Sequence, residues 1–127
     1  MKKILPLLLV IVLLTSCASP EQGDLGYKQV STEDAMTIMA EEKDYIILDV
    51  RTPSEFEEKH IVGAINVPNE SIGTEEIQEL QDKDQLILVY CRSGNRSKDA
   101  SQKLVQLGYT NIIEFGGIND WTGETIS

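Results

Sequence analysis

The run Leu86-Ile87-Leu88-Val89-Tyr90 limits more than any other feature how this chain can fold, and it leads straight into Cys91. Five successive apolar or aromatic residues cannot alternate between core and water, so the segment reads as a strand buried on both faces. A second run of this kind, Tyr45-Ile46-Ile47-Leu48, precedes it, and from Tyr27 onward short apolar runs alternate with amphipathic stretches. That alternation is the pattern of an α/β fold in which a mainly parallel sheet is covered by helices.

The other elements follow from local signals. Ser31 can cap a helix with Glu33 and Asp34 in its first turn and Ala35, Met36 and Met39 on one face. Ala64 to Val67 is a short strand closed by Pro68, and Thr74 to Leu80 is expected as a helix opened by acids. Ala100, Leu104 and Leu107 fall at helical spacing, with Gly108 supplying the left-handed residue that ends such a helix. Asn111 to Glu114 is expected as the last strand. If the strands are parallel, Asp49 and Arg51 emerge with Cys91 on one edge of the sheet, where open α/β sheets bind their ligands.

The chain begins with a different kind of segment. Met1-Lys2-Lys3 is a positive start, Ile4 to Leu14 an apolar stretch, and Leu14-Thr15-Ser16-Cys17 a small-residue ending. This resembles a bacterial lipobox, which implies cleavage before Cys17 and acyl chains, palmitate among them, on the new terminus. The apolar stretch is shorter than the roughly 20 residues a membrane span needs. The expected organisation is therefore a lipoprotein signal peptide over 1–16, a lipidated cysteine and flexible tether over 17–26, and one domain over 27–127. The expected location is the bacterial cell envelope, outside the cytoplasm, with the membrane reached through the lipid alone.

Charge and cysteine usage exclude several functions. Against 21 Asp and Glu the chain sets 11 Lys and Arg, for a net charge of −10. Such a surface repels phosphate backbones, so no nucleic-acid partner is expected. The two cysteines are Cys17 and Cys91. With Cys17 assigned to the lipid, the domain keeps a single cysteine and no internal disulfide. Cys91 and the lone His60 lie far apart in sequence and show no ligand spacing, so no metal is expected.

Cys91-Arg92-Ser93-Gly94-Asn95-Arg96-Ser97 joins the buried strand to the following helix. Backbone N–H groups in such a turn converge on one point and hold negative charge. A thiolate there, beside Arg92 and Arg96, is favoured over the thiol and is the reactive form, and Gly94 permits a backbone angle other residues resist. A buried, inert cysteine closing a strand would not require two arginines in a chain dominated by acids.

These residues resemble a single-domain rhodanese. Cys91, Gly94 and Arg96 match the family's active-site loop. Leu48-Asp49-Val50-Arg51, Glu55-Phe56 and His60 to Pro68 resemble its upstream motif, and Gly116-Gly117-Ile118 with Trp121 its carboxyl-terminal one. Thr122 to Ser127 departs from the pattern in being shorter and more polar. The resemblance implies a three-layer α/β/α domain and a sulfurtransferase that needs no cofactor. Cys91 would carry a sulfane sulfur as a persulfide between a small anionic donor such as thiosulfate and an acceptor, cyanide or a thiol. Arg92, Ser93, Gly94, Asn95 and Arg96 would bind the donor.

Asp49 and Arg51 are candidates for a shell that holds this loop, and a salt bridge serving stability alone is the competing assignment. His60 and Trp121 are read as structural. Two other functions share the loop. One is a persulfide carrier or binding module serving a protein partner. The other is a cysteine phosphatase of related fold, disfavoured because those loops place one more residue between cysteine and arginine than the four found here. The leader gives the first prediction. Cys17→Ser abolishes incorporation of labelled fatty acid into the chain in a bacterial host; unchanged labelling overturns the lipobox assignment.

Overall fold

A computed structural model describes residues 25–73 and 75–127. The leader, Cys17 and most of the tether lie outside the described residues. In chain order the elements are β1 (Lys28–Gln29), α1 (Thr32–Glu41), β2 (Tyr45–Asp49), α2 (Pro53–Glu58), β3 (His60–Ile61), β4 (Ile65–Asn66), β5 (Leu86–Cys91), α3 (Asn95–Gln106), β6 (Ile112–Gly117) and β7 (Thr125–Ile126). Single 3-10 turns lie at Asn69–Ser71 and Ile118–Asp120.

The main sheet runs β1-β6-β5-β2-β4 and its ladders are all parallel. The two apolar runs of the sequence, β2 and β5, are its centre. Alternate residues of each strand face opposite layers. Leu48, Val50, Ile87, Val89, Cys91 and Ile112 meet Ala100 and Leu104 of α3 on one face. Ile47, Leu88, Tyr90 and Phe115 meet Ala35 of α1 and, beyond it, Ile61 and Phe56 on the other. The three-layer α/β/α arrangement is present. Each fully buried Leu or Ile in these layers contributes about 1.5 to 3 kcal/mol, so the central strands are held mainly by their two apolar faces.

Helix ends follow their local signals. Ser31 Oγ accepts the Asp34 N–H at 3.0 Å and opens α1. Gly108, at φ +97°, lets the chain leave α3 where a side chain would resist the turn. The sequence reading passed over α2. Pro53 starts it, and Thr52 and Glu55 cap each other's backbone reciprocally.

Two expectations need correction. Residues 75–80 are not helical; Thr74 itself lies outside the described residues. Ile77 and Leu80 are buried and one turn joins them, Leu80 N–H to Ile77 O at 3.0 Å. Two apolar pegs in a segment this short satisfy the core without the length a helix needs to offset its nucleation cost. The polar tail, in turn, forms β7, paired antiparallel with β3 so that His60 faces Ile126. Its strand therefore closes a small second sheet, and β6 is the last strand of the main sheet only.

The buried face of α3 is formed by Ser97, Ala100, Ser101 and Leu104. Ser101 is fully buried, and its hydroxyl is the buried side-chain polar atom without a partner among the described residues. An unmet hydroxyl costs about 1 to 3 kcal/mol, and alanine is the better helix former. Ser101→Ala therefore raises stability by ~1 kcal/mol, seen as a higher midpoint in urea unfolding; a lower midpoint contradicts the assignment.

Candidate active site

The site is built where β5 ends. Cys91 is its last residue and is 1% exposed. The chain then turns through Arg92-Ser93-Gly94 into the first turn of α3. Gly94 stands at φ +116°, a left-handed angle open to glycine, and the turn brings its own N–H to 3.0 Å from the Cys91 sulfur. Ser97 Oγ lies 3.4 Å from the same sulfur. Burial pushes the Cys91 thiol up. Hydrogen bonds from the Ser97 side chain and from the backbone of Ser97, Gly94 and Ser93 outweigh it, and the thiol titrates below its ordinary range. The positive end of the α3 dipole points the same way.

The loop is pinned from behind by the end of β6. The ladder between β5 and β6 slips so that Val89 faces Glu114 but Cys91 faces Gly117. The extra residue this inserts takes up the φ of +87° at Gly116. Gly117 then presses on the nucleophile loop, and a Cβ there would lie 2.0 Å from the Arg92 carbonyl oxygen. The same carbonyl accepts the Asn119 N–H at 3.2 Å. Two glycines at this point have a steric reason: one makes the slip and the other leaves room for the loop.

Arg92 and Arg96 do not face the sulfur as free charges. Glu55, in the first turn of α2, takes both. Arg96 holds it in a fork at 2.6 and 3.0 Å, and Arg92 Nε reaches it at 3.2 Å. The fork to Arg96 keeps the Glu55 carboxyl far below the usual carboxylate range despite some burial. Its lowered folded-state value means that this stabilisation is complete above the ordinary glutamate range and is lost only as the pH falls well below it. Arg92, Ser93 and Asn95 are exposed around the loop, and Gly94 is buried within it. A cleft of about 360 Å³ opens beside Arg92, walled also by Arg51, Glu55, Glu58, Lys59, Ile118 and Asn119.

Asp49 and Arg51 stand on the same sheet edge but on the other side of it. Their bond is bidentate, at 2.7 to 3.1 Å, and Arg51 also donates to the Lys59 carbonyl at 2.6 Å. Arg51 lies 5.8 Å over the Tyr90 ring and reaches the cleft, so the pair shapes the cleft wall and braces the strand beside the loop. His60 stacks on Phe56 at 3.7 Å and its Nδ1 donates to the Phe56 carbonyl at 2.8 Å, a structural placement as expected. Trp121 packs near Phe115. Among the described residues no group of His, Cys, Asp and Glu could hold a metal ion.

Three residues of the site were not singled out in the sequence. Glu55 could have been found as the capping partner of Thr52 facing an arginine loop. Ser97 follows Arg96 and sits one turn into α3, and Glu114 is an acid inside an apolar strand. These contacts make the loop intolerant of displacement. Gly117→Ala lowers any turnover that runs through Cys91 on the order of a hundredfold, the usual cost of a shift near 1 Å at reacting atoms, while circular dichroism remains native. Unchanged turnover contradicts the packing.

Comparison with known proteins agrees with this geometry. Residues 31–124 match the model of the rhodanese-like domain family. The chain is 34% identical over 73 residues to the thiosulfate sulfurtransferase PspE of Escherichia coli, covering 58% of this chain and 70% of that protein. It is 33% identical over 96 residues to the thiosulfate sulfurtransferase GlpE of Coxiella burnetii, covering 75% of this chain and 87% of that one. Among solved structures, the BH2092 protein of Bacillus halodurans superposes with a TM-score of 0.69 at 28% identity, over 81% of this chain and 78% of that one. A rhodanese from E. coli solved with anions superposes at 0.60 and 30% identity, over 65% of this chain and 98% of its own. The match over residues 31–124 shows that the chain belongs to the rhodanese-like domain family, in which its relatives include proteins named thiosulfate sulfurtransferases.

Proposed function

We propose that the protein moves a sulfane sulfur from thiosulfate, through a persulfide on Cys91, to cyanide or a thiol, while anchored to a membrane of the bacterial envelope by lipid on Cys17. The observation that carries the chemistry is the cradle: a single buried sulfur held by the Gly94 N–H and Ser97, in a loop with four residues between Cys91 and Arg96. The narrow loop suits one sulfur atom rather than a phosphoryl group. The names of the bacterial relatives support thiosulfate as the donor.

In the first half of the cycle the Cys91 thiolate attacks the outer sulfur of thiosulfate. A sulfur–sulfur bond forms as the bond to the sulfonate breaks, and sulfite leaves with the electron pair. The loop N–H groups then face the terminal sulfur of the persulfide and hold its charge. In the second half the acceptor attacks that sulfur and the Cys91 thiolate leaves. Arg92 reaches the donor from one side of the cleft, with Glu55 holding its guanidinium and that of Arg96. The anchor rests on the leader sequence; no helix of the described residues is long and apolar enough to cross a membrane.

Thiosulfate adds the mass of one sulfur atom to the full chain, and cyanide removes it as thiocyanate over many turnovers. Cys91→Ser forms neither adduct nor thiocyanate. A persulfide that forms but does not turn over with free acceptors favours the carrier reading, and a stable intermolecular disulfide as the only adduct overturns both.

A further inference from the structure

The point at which the chain enters its domain is set by the fold, and it bears on which molecules can meet Cys91. Every ladder of the main sheet is parallel, so β1, β6 and β5 run the same way. Lys28 of β1 pairs with Ile113, which pairs in turn with Leu88, three residues short of Cys91. The residues ahead of Lys28 lie further back still, at the edge where the strands begin. Gly26 and Tyr27 share a groove there with Thr110, Asn111 and Ile112, the approach to β6. Gly26 is also pressed on Val105, near the end of α3, where a Cβ would lie 2.5 Å from the valine Cγ1. Entry point and nucleophile therefore stand at opposite edges of one sheet.

A lipid on Cys17 is joined to that entry point by the eight residues from Ala18 to Leu25. Whatever their conformation, residues in that number reach at most about 29 Å. From Ile87, whose N–H donates to the Asn111 carbonyl, β5 climbs to Cys91 by roughly 13 Å, and the cleft opens beyond it. Laying the cleft on a bilayer would take the chain back along the flank of the sheet and round the loops at its far edge, which uses most of its extended length. No surface feature favours such a posture. Among the described residues the exposed large apolar side chains are Leu25, at the entry point itself, with Val62 and Ile126 at the small sheet. Lasting adsorption needs more apolar area than the last two supply. At the cleft Glu55 and Glu58 stand among Arg92 and Lys59, so it offers anionic headgroups no strong positive patch.

We propose that the anchor holds the domain by the edge where its strands begin and turns the Cys91 cleft away from the membrane, so that the sulfur acceptor is a thiol dissolved in the envelope rather than one carried by a lipid. This rests on the lipid anchor and the sulfur transfer proposed above. The acceptor thiolate comes from the water and attacks the outer sulfur of the persulfide. A new sulfur–sulfur bond forms, the bond to Cys91 breaks with its electron pair left on Cys91, and the acceptor departs as a persulfide. At the edge that faces the lipid, Glu42, Asp44, Asp82 and Asp84 surround Lys28 in one groove. That excess of acid keeps the edge itself off anionic headgroups, and the domain stands clear of the surface.

The test uses the full lipidated chain in phosphatidylcholine vesicles, with a reporter cysteine in a Cys91→Ser background. One reporter, Glu42→Cys, is on the edge where the strands begin; the other, Asn119→Cys, is at the cleft, and both positions are exposed. With each rate divided by that for a soluble maleimide, a maleimide on a lipid headgroup of the same vesicles labels Glu42→Cys on the order of tenfold faster than Asn119→Cys. Inserting about twenty Gly and Ser residues after Ser19 brings the two rates together. Equal labelling with the parent tether, or faster labelling of Asn119→Cys, overturns the proposal. With Cys91 in place, a soluble thiol removes the sulfur loaded from thiosulfate, whereas phosphatidylthioethanol in the vesicle leaves it there; removal at the same rate by the lipid thiol also overturns the proposal. A chain that does not float with the vesicles removes the anchor and the orientation with it. One that floats with the expected labelling but takes up no sulfur overturns the acceptor together with sulfur transfer and leaves the orientation standing.

Discussion

Keeping inside a protein a thiol that ionises more readily than a free one is the constraint to which the rest of this structure answers. A buried anion is unfavourable unless hydrogen-bond donors replace the lost water. Here the donors belong to the turn that follows β5, and they converge only because Gly94 takes a left-handed angle immediately before α3 begins. Strand, turn and helix are therefore one device. The apolar faces of β5 hold the sulfur out of water, and the start of α3 supplies the compensating dipole and N–H groups.

Such a cradle works only if it cannot drift, and its supports come from distant parts of the chain. The slipped ladder at Gly116 and the missing side chain at Gly117 seat β6 against the Arg92 carbonyl. From the opposite direction Glu55 grips Arg92 and Arg96. The upstream and carboxyl-terminal motifs bracket the cysteine loop in sequence because they clamp it in space. The Asp49–Arg51 pair does a separate task on the other face, bracing β2 against the Lys59 carbonyl.

Much of this was legible from residue order. Buried parallel strands announce themselves as unbroken apolar runs, so β2 and β5 could be read directly, and Ser31 and Gly108 mark helix ends through local chemistry. The nucleophile and its loop stood out because Cys91 follows the most apolar strand and is flanked by arginines. Contacts that depend on three-dimensional pairing were not legible. Nothing local to Arg92 and Arg96 says that Glu55 neutralises them, and Glu114 looks like the polar end of a strand until the pairing of β6 with β5 sets it under α3. The tail gave no strand signal because β7 is exposed and gains its order from β3 alone.

The pairing of the two arginines also bears on how an acidic chain admits an anionic donor. With Glu55 between them, the arginine pair carries one net positive charge rather than two. Long-range attraction is not available to a molecule of net charge −10. Its exposed acids are screened over about 8 Å at physiological ionic strength, so what a donor meets inside the cleft is set by its walls. There the unshared N–H groups of Arg92 and the Lys59 side chain stand among Glu55 and Glu58, with Arg51 held by Asp49, and the α3 N-terminus lies behind the sulfur. Recognition in this site is thus a short-range matter of hydrogen bonds to oxygen and sulfur. That suits the small anionic donor proposed above.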